Sequence, residues 1–203
     1  MNNYLNDKLF DYGSFFQSKI FEDYTTPWEI ISKLKTYIDE INGDQNILIG
    51  EGSKIDPSAK IEGKVIIGKN STIGDNVLLR DGCIIGDNVH IGHAVEIKHS
   101  IIMNDTAVAH LNYVGDSIIG NNVNVGGGAI VANWRFDRKN IKVKVGDDVI
   151  DTQLEKFGAC VGDHSSLGVN CVLNPGTILE KNVLIFPLVS VHGTHPEQSV
   201  IKG

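Results

Sequence analysis

The sequence is poor in the features that mark several large protein classes. Its 203 residues include three cysteines, five prolines, two methionines and two tryptophans. Cys83, Cys160 and Cys171 are odd in number and show no CxxC spacing, which argues against a disulfide framework or a zinc site and leaves them as small buried hydrophobes. No apolar run approaches the ~18 residues of a membrane span. The opening MNNYLNDKLFDYG lacks the basic and apolar regions of a signal peptide, so a cytoplasmic location is expected. Basic residues are the minority, 18 against 25 acidic, for a formal net charge of -7. That balance speaks against nucleic acid or an anionic membrane as a general partner, and an anionic ligand would need a local basic pocket.

Repetition is what the chain has in quantity. Aliphatic residues fall six apart at Ile49, Ile55, Ile61, Ile67, Ile73, Leu79, Ile85, Ile91 and Ile97. After a step of five the series continues at Ile102, Val108, Val114, Ile119, Val125 and Val131, and after a gap at Val161, Leu167, Leu173, Leu179, Ile185 and Val191. Gly, Asn and Asp fill the places between, the residues that tolerate a tight corner after each short strand. A hexapeptide of this kind resembles that of the left-handed parallel β-helix, a mainly β, single-stranded fold. Three hexads there make one triangular coil, and the sixfold aliphatic residue points into the prism. The hand is implied by the resemblance alone, because the usual crossover rule favours the opposite one.

The repeats divide the chain into an N-terminal helical segment, 1–46, and a β-helix domain, 47–203, with an extended loop at about 134–158. In the first part, TTPWEIISKLKTYIDEING predicts a helix with Thr26 at the N-cap, Pro27 at the first position, Glu29 completing a capping box and Gly43 ending it. Trp28, Ile31, Leu34, Ile38 and Ile41 form its apolar stripe, expected to pack on the end of the column or on a neighbouring subunit. The loop concentrates Arg135, Arg138, Lys139, Lys142 and Lys144 in an acidic protein, as either a phosphate clamp or a solvated hairpin.

Candidate chemistry lies where a polar residue is not required by a corner. Arg80, Glu96, Lys98, His110 and Tyr113 fall within about two coils, followed by Asn124, the glycines 126–128 and Asn133. Uncovered backbone N–H groups at Gly126, Gly127 and Gly128 could hold a carbonyl or thioester oxygen. His110 stands out by its company, which His90, His93, His99 and His164 lack in the sequence.

The stretches VEIKHS and HLNYVGDSIIGNNVNVGGG resemble the acetyltransferase half of bacterial N-acetylglucosamine-1-phosphate uridyltransferase. VANWRFDRKNIKVKV, DTQLEKFGACVGDH and GVNCVLNPG are similar to the acetyltransferase end of archaeal sugar-1-phosphate nucleotidylyltransferases and their short stand-alone relatives. The resemblance implies transfer of acetyl from acetyl-CoA, as co-substrate and without a metal, to the amine of glucosamine 1-phosphate, in a homotrimer. It implies His110 as general base, Arg80 and Lys98 as holders of the sugar phosphate, and Tyr113, Asn124 and Lys139 as contacts to the sugar or its phosphate. Asn133 would line the pocket, Glu96 would orient the sugar or a neighbouring side chain, and Gly126 to Gly128 would approach the acetyl group. The family's LxxGxGxR nucleotidyltransferase stretch does not occur, so nucleotidyl transfer is not expected. Three other readings stand beside this one: another amino-sugar acceptor, a non-catalytic trimerising or regulatory column that partners a separate sugar nucleotidyltransferase, and a zinc site drawing His110 together with His90 or His93.

Overall fold

The computed structural model describes residues 4–203, so the first three residues of the helical segment lie outside the described residues. From Ile47 onward the chain winds into a parallel β-solenoid. Its strands stack into three sheets of eight, eight and seven strands, which we call the first, second and third sheets in the order the chain visits them. Neighbouring strands in each sheet are parallel, at a spacing of about 4.8 Å.

The register explains why the repeat takes this form. Ile67, Ile85, Ile102, Ile119, Val161 and Leu179 pair rung on rung in the first sheet, and Ile73, Ile91, Val108, Val125, Leu167 and Ile185 do so in the second. The third sheet stacks Leu79, Ile97, Val114, Val131, Leu173 and Val191. All of these belong to one buried cluster inside the prism. Only the first rung departs: Ile49, with no strand beneath it, is half exposed. A second interior row precedes the first by two residues at Val77, Val89, Val95, Val123, Ala129, Val183 and Val189. Cys83 and Cys171 line the same interior, where burial pushes each thiol up to about 11.

Corners demand the left-handed backbone region, and Asn or Asp takes it at Asn70, Asn76, Asp81, Asn88, Asp105, Asp116, Asn122, Asn170 and Asn182. Space is the other demand. A Cβ on Gly92 would lie 1.6 Å from the carbonyl oxygen of Ala109 on the next coil, so the strand ends there can stack only on glycine.

Strands of the first sheet read as unbroken apolar runs, VII, CII and II, rather than alternating ones, because both of their faces are buried. Ile66, Ile84, Ile101, Ile118, Cys160 and Ile178 face outward into a second cluster shared with three helices, α1 (Tyr4–Leu9), α2 (Lys19–Asp23) and α3 (Pro27–Asn42). The helical segment therefore packs along the side of the column, not on its end. Trp28, Ile31, Leu34 and Ile38 are buried in that contact, whereas Ile41 is 39% exposed past the edge of the sheet. Glu29 reaches back to the N–H groups of Thr25 and Thr26, and Gly43 follows the last turn.

A ladder of side chains runs up the corner between the first and second sheets. Asp87, Asn104, Asn121 and Asp163 each accept a hydrogen bond from the backbone N–H one rung below, at Lys69, Asp87, Asn104 and Asn121. The N-terminal segment fastens to this ladder. Asp163, 1% exposed, also accepts from the N–H of Asp11 at 2.6 Å, while Asn121 and Asn104 donate to the carbonyls of Asp11 and Ser14. The excursion after Val131 contains an antiparallel hairpin, Lys142–Val145 with Asp148–Asp151. Ile141, Val143 and Phe157 bury themselves in the helix-facing cluster, and the Phe157 ring meets Trp28 edge-on at 6.3 Å.

Replacing Asp163 by Ala strands two backbone N–H groups and an amide at a buried corner, with an expected loss of more than about 2 kcal/mol. Denaturant unfolding measures it, together with faster proteolysis in the first 25 residues; a loss below about 0.5 kcal/mol would show that the ladder does not hold the segment.

Candidate functional site

The third sheet exposes a line of polar side chains that the stacking register brings together. Glu96 sits beside Tyr113, and Arg80 beside Lys98 and then Gly115, in successive strands. Arg80 grips Glu96 through Nε and Nη2 at 2.7 and 2.6 Å, and turns Nη1 to Asp81 at 2.9 Å. Lys98 Nζ lies 3.1 and 3.0 Å from the two oxygens of Asp116 and 3.7 Å from Asp81. Asn133 Nδ2 donates to the same Asp116 carboxylate. Arg80, Glu96, Lys98 and Asn133, four of the residues singled out from sequence, are thus joined through Asp81 and Asp116, and Tyr113 joins them by its side-chain hydrogen bond with Asn133, in one polar cluster that we call the polar ring.

Asp81 and Asp116 complete that ring, and sequence reasoning passed over both. They occupy left-handed corners, at φ 62° and 47°, where Asp is an ordinary turn residue. The available signal was their place at the same corner as the two cations, directly after Arg80 and Gly115. With them the ring carries three carboxylates against two cations. The Tyr113 phenol feels the result. Burial, reinforced by the negative charge of Asp116, pushes it up to about 12, against the pull of Arg80.

His110 stands at the next corner, between the second and third sheets, two residues beyond the strand Ala107–Val108. Its ring is exposed and lies over the glycine corner of the following coil: a Cβ on Gly127 would come within 2.7 Å of Nε2. Below it the carbonyl of His110 accepts the N–H of Gly128 at 2.9 Å. Asn112, also unforeseen, ties that corner down by donating to the carbonyls of Gly126 and Ala129. Only two residues, Leu111 and Asn112, separate His110 from Tyr113, so the base candidate and the polar ring share one turn of chain. His93, one rung before His110 on the same corner, has company after all: its Nδ1 is 2.6 Å from Asp75. Among the described residues no three His, Cys, Asp or Glu side chains gather as a metal site.

The remaining candidates lie elsewhere. Asn124 projects from the second sheet, round the corner from the ring, beside a cavity of about 290 Å³ lined also by Leu184, Phe186 and Pro187. Lys139 stands in the excursion, exposed, with its N–H on Asp137. The basic residues of that excursion do not converge. Arg135 pairs with Asp137 at 2.7 Å, Arg138 and Lys156 each lie over the Trp134 ring, at 5.4 and 5.6 Å from its centre, and Lys142 and Lys144 ride on the hairpin. Trp134, Arg135, Phe136 and Asp137 frame a cavity of about 490 Å³ against Asn174 and Pro175.

Known proteins share these features. Residues 81–154 match the family model for the GMPPB C-terminal domain, and residues 46–81 the model for the bacterial transferase hexapeptide (six repeats). The bifunctional sugar-1-phosphate nucleotidylyltransferase/acetyltransferase of Sulfurisphaera tokodaii is 40% identical over 87 residues, which are 43% of this chain and 22% of that protein. The bifunctional protein GlmU of Methanococcus maripaludis is 35% identical over 175 residues, 80% of this chain and 42% of that protein. The homologues of this chain include GlmU proteins and a sugar-1-phosphate nucleotidylyltransferase/acetyltransferase. The chain spans less than half the length of either homologue. Among solved structures, AntD, an N-acyltransferase from Bacillus cereus in complex with dTDP-4-amino-4,6-dideoxyglucose and coenzyme A, is 16% identical with a TM-score of 0.45, each chain covering 82% of the other. That likeness is too low to bear on function. No described helix is long and apolar enough to cross a membrane.

Ultraviolet difference titration of wild type against Tyr113→Phe should reveal one phenolate forming near pH 12 instead of the ordinary 10.0. Since the unfolded phenol ionises first, stability contributed at this position falls as pH rises from 10.0 towards 12. A difference signal centred at the ordinary value would show that the ring does not shield the phenol.

Proposed function

We propose that this chain is an N-acetyltransferase that moves acetyl from acetyl-CoA to the amine of an amino-sugar 1-phosphate, with glucosamine 1-phosphate as the preferred acceptor. The observation that carries the reading is the junction of two unlike surfaces at one corner. An exposed imidazole lies over bare glycine backbone, and a fixed ring of charged and amide side chains begins three residues further on. Homology to proteins that carry an acetyltransferase activity supports the same reading.

The chemistry asks for such a junction. An amino sugar is largely an ammonium ion near neutral pH, and an ammonium has no lone pair with which to attack a thioester. His110 takes that proton, since an imidazole titrates near neutrality. The freed amine attacks the thioester carbonyl, and the tetrahedral oxyanion draws on the N–H of Gly127, since those of Gly126 and Gly128 are taken by the carbonyls of Leu167 and His110; collapse expels the CoA thiolate, which takes up the proton that the attacking nitrogen sheds, while the imidazolium returns its own to solvent. Arg80, Glu96, Lys98, Tyr113 and Asn133 hold the sugar and its phosphate so that the amine meets His110, an advantage of positioning rather than of bond-making. Asn124, on another sheet, and Lys139, exposed in the excursion, serve a neighbouring copy in a homotrimer, where two columns meet. Neither a metal nor a covalent acyl-enzyme enters this scheme, and the protein acts in the cytoplasm.

The test is a panel of amine acceptors with acetyl-CoA, read by thiol release, on wild type and His110→Ala. Glucosamine 1-phosphate should be the best acceptor, and the variant should lose 10² to 10⁴-fold in kcat while keeping its unfolding midpoint, roughly the loss typical for a general base. Equal rates for wild type and variant would remove His110 from the role. Absence of thiol release with every acceptor would remove the acetyltransferase reading and favour a non-catalytic column. Light scattering should give three times the chain mass of 22.1 kDa.

A further inference from the structure

Asp116 is a buried carboxylate that the repeat does not need. A left-handed corner accepts Asn as readily as Asp, and the corner one coil earlier on the same edge is His99. Yet the side chain of Asp116 is only 6% exposed, and that of its partner Lys98 12%. Both carboxylate oxygens face Lys98 Nζ, and one also accepts from Asn133 Nδ2. The backbone of the same residue makes two more ties. Its N–H donates to the carbonyl of Lys98 at 2.8 Å, and its carbonyl accepts the N–H of Gly158 at 2.9 Å. Asn133 is where the chain leaves the column for the long excursion, and Gly158 is where it returns. Phe157 closes the neck by donating its N–H to the carbonyl of Asn133 at 3.0 Å.

The neighbouring Gly115 adds a steric reason for the same convergence. A Cβ there would lie 2.5 Å from the Tyr113 hydroxyl and 2.8 Å from Asn133 Nδ2, so these two groups share the space directly above bare backbone. Three candidate contacts for the acceptor, Lys98, Tyr113 and Asn133, therefore take their relative placement from one carboxylate and the glycine before it.

We propose that Asp116 is the positioning residue of the acceptor site: it fixes Lys98 Nζ and Asn133 Nδ2 beside the Tyr113 hydroxyl and pins both ends of the excursion at that point. Asp116 itself touches no acceptor. The inference rests on the acetyl-transfer reading for its kinetic consequence, but not for its structural one. An Asn at this position keeps the shape while losing the charge. Its amide oxygen can keep the place shared by Lys98 and Asn133 only by pointing its NH₂ at Lys98 Nζ, donor against donor, and the flipped amide points that NH₂ at both; in either case Lys98 loses the charge and one acceptor that fix it. A Glu keeps the charge but displaces it by a methylene.

The experiment compares wild type, Asp116→Asn and Asp116→Glu in two measurements. In steady-state kinetics, Asp116→Asn should raise KM for glucosamine 1-phosphate by about 10- to 100-fold, the scale of one charge-assisted hydrogen bond. KM for acetyl-CoA and kcat at saturating acceptor should change little, and Asp116→Glu should recover part of the loss. A purely structural role would instead lower kcat with the folded fraction and leave both KM values alone, and that result, or an unchanged acceptor KM, overturns the proposal. In hydrogen–deuterium exchange, Asp116→Asn should speed exchange at the amides of 133–139 and 157–158, with the prism interior unchanged. Should wild type transfer acetyl to no acceptor, the acetyl-transfer reading falls. Exchange then decides the role of Asp116 alone: rates equal to wild type at the neck of the excursion overturn it.

Discussion

Parallel stacking at about 4.8 Å per rung is the constraint on which everything else in this molecule depends. A side chain at one place in a coil is held one strand away from the side chain some 17 or 18 residues later, as Arg80 is from Lys98 and Glu96 from Tyr113. The aliphatic rows inside the prism keep that spacing constant over the height of the column, since each rung can shift only by opening a gap against the next. A flat, rigid lattice results, on which functional groups are addressed by row and rung. Precision of this kind usually takes a second layer of supporting contacts; here the backbone supplies most of it.

Why the fold could be read from sequence follows from the same constraint. A single interior position repeated every six residues leaves a periodic trace that no corner residue can hide, and all of those positions from Ile67 onward are buried together. The doubled aliphatics of the first sheet, such as Ile66 and Ile84, carried a further message that periodicity alone does not express: their outer faces need a cover, and the helices supply it. The stripe on α3 showed that the helix had to pack on something, but an amphipathic pattern contains no address. Only the pairing of the stripe with the outward isoleucines places α3 on the side of the column.

The site was half legible, for an instructive reason. Arg80, Glu96, Lys98, Tyr113 and Asn133 are conspicuous because a corner has no use for them, and the lattice does gather them. Asp81 and Asp116 were camouflaged as turn residues, which they also are. Their effect on the electrostatics is large: the two cations read as phosphate holders are met by carboxylates at 2.6 to 3.1 Å, so an anionic group must compete with, or add to, an existing set of ion pairs. Asn124 stands apart from the ring within one chain because closeness in sequence on a solenoid spans a corner as easily as a face. It sits one sheet away.

The excursion between Val131 and Ala159 leaves the column and comes back without disturbing it: Ile119 still pairs with Val161, and Val131 with Leu173, as though the intervening residues were absent. A rung asks only that its neighbours above and below be in place. The corner beside the polar ring is thus a port at which chain can be added, shortened or exchanged while the lattice keeps its coordinates. One loop can be rewritten beside the ring, and the cost to the scaffold is no more than the neck that joins it.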